Sequence, residues 1–277
     1  MASVLEKANM SNGTGIASQS GHESGACANI LGVKVDAIDT AAALASIESA
    51  LEQGRKGYIC APDASNILRA QDDESHRRIL NGSLLTIADS RAVVWTAWMQ
   101  GVHDLHQIGG PELMLEMCRL SQSRGYRHFL YGGDEGVADQ LKPILEQRFQ
   151  GIKIVGTYCP PFRPLNESER KALIEQVSRT KPDLFWVGIG SPKQERFMAE
   201  YLPLLDTKIM FGVGAAFNFH SGRVHFSPRW MQLVGLSWLF RLAQEPRRLW
   251  KRYLLSIPRF TWSILLQLLR LHHYSLD

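Results

Sequence analysis

Cysteine is scarce in this chain of 277 residues, and the four that occur (Cys27, Cys60, Cys118 and Cys159) stand far apart. They form no CxxC pair and no Cys/His spacing of a zinc site. That argues against a disulfide scaffold or structural metal and predicts the reduced thiols of a cytoplasmic protein. Long apolar runs are missing as well. The longest, residues 262–271, is interrupted by Ser263, Gln267 and Arg270, whereas a bilayer-crossing helix needs about 20 apolar residues. The N-terminus has no apolar stretch of the secretory kind. Neither a Walker A loop nor a GxGxxG fingerprint occurs. The net charge is only +4, too small by itself to argue for a nucleic-acid partner.

What the chain has is the composition of a globular protein, 45% apolar and 21% charged, long enough for one α/β domain with an appendage. Residues 1–28, rich in Ser, Gly, Ala and Asn, read as a flexible tail. From Ile30 onward, β-branched apolar runs at 30–35, 58–60, 84–87, 128–131, 152–155, 184–189 and 209–213 alternate with helical patterns at 40–53, 92–99, 111–123, 137–149 and 167–178. Pro111 starts one of these helices and Asn166 caps another. Such alternation predicts a Rossmann-like α/β fold, with a largely parallel sheet and helices on both faces over residues 29–227. Ligands then bind beyond the carboxyl ends of the strands.

Residues 228–277 break the rhythm. Prolines 228, 246 and 258 predict three successive helices, a helical appendage. It carries eight basic residues against Glu245 and Asp277, and four of the seven Trp. Bulky apolar side chains mixed with Lys and Arg suit the surface of an anionic membrane. A protein–protein contact is the alternative, and a homo-oligomer is left open.

Four strand ends carry candidate chemistry. After 84–87 comes Asp89, placed either as a general base toward a hydroxyl or as a cap for the helix at 92–99. After 128–131 come Gly132 and Gly133, and after 184–187 come Gly190, Ser191, Pro192, Lys193 and Gln194. Glycines ahead of a helix N-terminus let backbone N–H groups approach a phosphate. A plain turn explains the first loop equally well, and a solvated lysine is the alternative for Lys193. After 209–213, Phe217 and Phe219 are read as core residues. The histidines His103, His106, His220, His225, His272 and His273 show no metal spacing.

Together these segments resemble the WecG/TagA/CpsF glycosyltransferases. The resemblance runs from about residue 30 to 260. It is carried by GIGSPKQE at 188–195, GVGAAFNF at 212–219, and the run from Trp230-Met231-Gln232 to EPRRLWKRYL at 245–254. It implies an inverting, metal-independent enzyme with no cofactor. Such an enzyme moves a hexose-type sugar from a UDP-sugar to a polyprenyl-diphosphate-linked saccharide, peripherally on the inner face of the cell membrane. By its motifs Asp89 is the base, and Gln194, with Gly132, Gly133, Gly190 and Ser191, belongs to the donor site. Asp63, Asn66, Arg91 and Gln107 form the acceptor pocket, and Arg241, Arg248, Lys251 and Arg252 hold the lipid diphosphate. The chain departs from the family pattern at Ala61 and Asp63 (for Thr and Asn), at Ser90-Arg91, at Gln107 (for Arg) and at Asn218 (for Asp). The alternatives are a soluble nucleotide-dependent oxidoreductase and a non-catalytic, membrane-docked nucleotide-sugar-binding protein.

Overall fold

The computed structural model describes residues 25–276. Two strands, β1 Cys27–Ile30 and β2 Val33–Asp36, form an antiparallel hairpin. Strands and helices then alternate: α1 Thr40–Glu52, β3 Gly57–Cys60, α2 Ala64–Asp72, α3 Glu74–Asn81, β4 Leu85–Thr86, α4 Arg91–Met99, α5 Gly110–Arg124, β5 Arg127–Gly132, α6 Val137–Arg148, β6 Lys153–Tyr158, α7 Glu167–Thr180, β7 Leu184–Gly188, α8 Lys193–Tyr201 and β8 Ile209–Gly212. Helices α9 Ala216–His220, α10 Arg229–Leu233, α11 Ser237–Gln244 and α12 Pro246–Leu268 follow.

The expected α/β architecture is the one observed. Six strands pair in the order β4-β3-β8-β7-β5-β6, every pairing parallel. Successive residues of a strand face opposite sides, so β7 sends Phe185 and Val187 into one core layer and Leu184 and Trp186 into the other. Both layers are covered by helices, which is why these strands read as unbroken apolar runs. Local chemistry sets the helix starts: Asp39 caps α1, Asp63 caps α2, and Asn166 with Glu169 forms a full capping box on α7.

Three expectations are corrected. The run 30–35 is not a strand of the main sheet. Leu31 and Gly32 turn the chain with positive φ, and the Asn29 side chain accepts the Gly32 amide at 2.8 Å, so the run folds into the hairpin. Of the expected N-terminal tail, residues 1–24 lie outside the described residues, and Cys27 and Ala28 belong to β1. In the C-terminal segment the first expected helix is broken between α10 and α11 at Gly235, where φ is +71°. The other two are one helix, α12, running through Pro258. Pro258 and Leu254 lie on its exposed side. The carbonyl that the proline leaves without a donor therefore faces solvent, which lowers the cost of keeping the helix intact.

Helix α12 lies along α2. It buries Leu249, Tyr253, Phe260 and Ile264, and the last two enter the core layer that also holds Phe185. Gln267 accepts the Leu31 amide at 3.1 Å and donates to the Asn29 carbonyl at 2.8 Å, tying the helix end to the hairpin. Arg259 forms a bidentate pair with Asp72, both contacts at 2.6 Å. All four cysteines are free.

Candidate active site

The carboxyl ends of β3, β4, β5, β7 and β8 open into one chamber of about 1000 Å³, closed on another side by α11 and α12. This is the crevice that parallel-sheet topology reserves for ligands.

Asp89 stands in its wall. The segment after β4 is locked to the segment before α5. Ala88 bridges Gln107, the Ile108 amide donates to the Ala88 carbonyl at 2.9 Å, and the Gln107 side chain donates to the Asp89 carbonyl at 2.9 Å. The carboxylate of Asp89 does not cap α4, whose N-cap is Ser90, without a side-chain bond. It turns instead toward α5 and accepts the Gly110 amide at 3.3 Å. Burial, then repulsion from Asp63 and Glu112, lift its pKa to about 7, against the opposing pull of the Gly110 N–H and Arg241. A carboxylate held near neutrality can take a proton from a hydroxyl and release it again.

Behind the wall lies a buried polar cluster. Gln194, 2% exposed, accepts the Gly214 amide at 2.9 Å, so the first turn of α8 fixes the loop after β8. Its amide nitrogen donates to Glu195 at 3.1 Å. Glu195, fully buried, also accepts from Ser191 at 2.5 Å and from Asn66 at 3.1 Å. Burial raises its pKa above the usual carboxylate range. His76 donates to Asn66 at 2.6 Å and is kept neutral by burial, with its pKa pushed down to about 4. The cluster links α2, α3, α8 and the β7 and β8 loops, and so holds the floor rigid.

Among the residues expected at the donor site, Gly133, Gly190, Ser191 and Gln194 line the chamber. Gly132 is not among the lining residues. At φ +136° it packs against Gly188, where an added Cβ would lie 2.6 Å from backbone atoms. Lys193 also lines the chamber and is exposed. Of the expected acceptor residues, Asp63, Arg91 and Gln107 line it, whereas Asn66 does not: its side chain is 3% exposed and serves Ser191 and Glu195. Arg241, Arg248 and Arg252 reach the chamber. Lys251 points elsewhere, its ammonium 5.5 Å from the ring centre of Trp250. Arg241 lies 5.5 Å from the ring centre of Phe219. Glu245 pairs with Arg241 and Arg248, and Asp63 with Arg252. Phe217 is buried, as expected, but Phe219, also expected in the core, is half-buried at the chamber, stacked on Phe226.

Sequence reasoning passed over Glu112 and the segment 160–165. Glu112 sits in the first turn of α5 beside Gly109. An acid just after Gly-Gly-Pro is a signal that a reading of helix starts can use. Segment 160–165, PPFRPL, follows β6 and puts Phe162, 85% exposed, at the chamber. Its prolines mark a loop but carry no chemical signature. Among the described residues no cluster of three or more His, Cys, Asp or Glu is placed to hold a metal ion.

Two comparisons bear on this site. The family model described as "Glycosyl transferase WecG/TagA/CpsF family" matches residues 28–274. A relative from Bacillus subtilis (strain 168), N-acetylglucosaminyldiphosphoundecaprenol N-acetyl-beta-D-mannosaminyltransferase, is 29% identical over 193 residues, which cover 70% of this chain and 73% of the relative.

Proposed function

The chain belongs to the WecG/TagA/CpsF family of glycosyltransferases, and on that premise we propose that it transfers a hexose-type sugar from a UDP-sugar to a polyprenyl-diphosphate-linked saccharide. The reaction inverts the anomeric centre, uses no metal or cofactor, and serves cell-envelope polysaccharide synthesis at the inner face of the membrane. The acceptor class follows the relative, whose name specifies an undecaprenyl-diphosphate-linked N-acetylglucosamine. The oxidoreductase reading is set aside, because the family transfers sugars.

One observation carries the proposal: a carboxylate near neutrality, Asp89, faces a chamber to which the C-terminal helices contribute Arg241, Arg248 and Arg252. Asp89 accepts the proton of the acceptor hydroxyl as that oxygen attacks the anomeric carbon. The bond from that carbon to the diphosphate breaks on the opposite face, and UDP leaves with the bonding pair. Charge growing on the diphosphate meets Lys193 and the backbone of the loops at Gly133 and Gly190, donors set in place beforehand. The arginines of α11 and α12 hold the acceptor's diphosphate, because a guanidinium fork matches phosphate oxygens.

The same helices support a membrane-surface location. No helix among the described residues is long and apolar enough to cross a membrane. Yet Trp230, Trp250, Leu254, Leu255 and Trp262 are exposed on a segment rich in Arg and Lys. Apolar side chains that enter the interface beside cations that meet anionic headgroups make a peripheral anchor. Incubation of the protein with a panel of UDP-hexoses and UDP-hexosamines and with N-acetylglucosaminyl-diphosphoundecaprenol tests the reading. Formation of a lipid-linked disaccharide from at least one donor is expected, and no product from any donor would overturn it.

A further inference from the structure

Five charged groups from five elements line the chamber, and four of them act electrostatically on the fifth, Asp89. Asp89 follows β4, Asp63 precedes α2, Glu112 opens α5, and Arg241 and Arg252 reach in from α11 and α12. Asp63 is distinctive because both its oxygens are engaged. Oδ1 accepts the Asn66 amide at 2.8 Å and so caps α2, while Oδ2 accepts from the guanidinium of Arg252. The side chains of the pair are 27% and 37% exposed. This carboxylate is already oriented by its cap, so the pair needs less ordering than two mobile surface side chains. An asparagine, which the family pattern favours here, would cap α2 equally well. It would leave Arg252 without a counter-charge. The carboxylate therefore adds something beyond the cap, and what it adds is directed at α12.

We propose that Asp63 is a positioning residue of the transfer reaction: it fixes the Arg252 guanidinium over the chamber floor beside Asp89, joining the C-terminal helix to the core at the reacting end. The inference rests on the reading of Asp89 as the base. Arg252 has five N–H donors, and those not given to Asp63 remain for an anionic substrate group such as a diphosphate. Asp63 also acts on Asp89 through space. Its charge and that of Glu112 oppose ionisation of Asp89, and Arg241 and Arg252 favour it. The couple thus sets both where the cation sits and how readily the base ionises.

The test measures kcat/KM against pH, from roughly pH 5 to 9, for Asp63→Asn, Arg252→Gln and the double variant, with the donor that the panel identifies and N-acetylglucosaminyl-diphosphoundecaprenol. Asp63→Asn keeps the cap, and an unchanged thermal melt verifies its fold. Its acidic limb should move down by about one pH unit, while that of Arg252→Gln should move up. Each single variant should lose about tenfold in kcat at pH 8, and the double variant about the same rather than the product, because the two residues act as one unit. An acidic limb that stays in place in Asp63→Asn, or losses that multiply in the double variant, overturns the proposal. Asp89→Asn is measured alongside. Full activity in that variant refutes the base itself, whereas an inactive Asp89→Asn with an unmoved limb in Asp63→Asn refutes only the positioning role.

Discussion

The chemistry of Asp89 is set less by its own side chain than by what surrounds it. Its bond to the Gly110 amide and the bridge from Ala88 to Gln107 hold it at the edge of the chamber. Burial, and after it neighbouring Asp63 and Glu112, make its charged form expensive. Asp89→Asn, nearly isosteric, should lower kcat by about a hundredfold or more, the usual contribution of a general base. UDP affinity measured by calorimetry should stay the same, and near-wild-type turnover would remove Asp89 from the mechanism. In the wild type, kcat/KM should rise with pH through about 7, the pKa of the residue. Stability should run the other way. A carboxyl whose folded pKa is raised stabilises the fold while protonated, and that contribution is lost as pH rises toward 7. Asp89→Asn should therefore melt several degrees above wild type at pH 8, by at most about 4 kcal/mol, with little difference at pH 4. Asp89 could be found in the sequence because a lone acid after an apolar run sits where ligands bind. That it is not a helix cap could not, because Gly110, the group that turns it away, lies 21 residues later. Asn66 shows the converse: the family resemblance put it in the acceptor pocket, and its burial behind Ser191 depends on α3 and α8.

Elements were legible where their signals are local. Apolar runs gave all six strands of the sheet, and helical patterns, with Pro111 and Asn166 marking two of the starts, placed α1, α4, α5, α6 and α7 to within a few residues. The hairpin of β1 and β2 was missed because its turn rests on Leu31 at positive φ, outside glycine's territory, supported by Asn29. Helix α12 was divided in two because proline normally ends a helix, and only its exposed side makes Pro258 tolerable. Close contact between β5 and β7 imposes a stricter demand. At Gly132 an added methyl would meet Gly188 backbone at 2.6 Å with φ at +136°. Gly132→Ala should cost more than about 3 kcal/mol, a fall in Tm of roughly 10 °C in thermal unfolding. A melt within 2 °C of wild type would show that the two strands part easily. Helix α12 makes a separate prediction. Leu254→Ser with Leu255→Ser and Trp262→Ala changes only exposed positions, so the fold should persist. Co-sedimentation with vesicles containing anionic phosphatidylglycerol should weaken by about tenfold or more. Unchanged sedimentation would contradict a membrane contact through α12.

At the scale of the molecule, the chamber is assembled from the ends of five parallel strands and roofed by helices that arrive last in the chain. Parallel order brings Asp63, Asp89, Gly133, Gln194 and Arg252 together although nearly 190 residues separate the first from the last. Motif order made that convergence readable. The ion pairs that seat α12 on α2, Asp63 with Arg252 and Asp72 with Arg259, were not, since no local signal pairs side chains that lie 189 and 187 residues apart. The arrangement places a near-neutral carboxylate, a strand-end crevice and a cationic, Trp-bearing helix in one unit, as the proposed transfer to a lipid-borne acceptor requires. The most direct test follows label from UDP-sugar donors into N-acetylglucosaminyl-diphosphoundecaprenol on anionic vesicles, comparing wild type with Asp89→Asn. The wild type should form a lipid-linked disaccharide from at least one donor, and the variant should form it at least about a hundredfold more slowly. Equal rates from the two proteins would contradict the account.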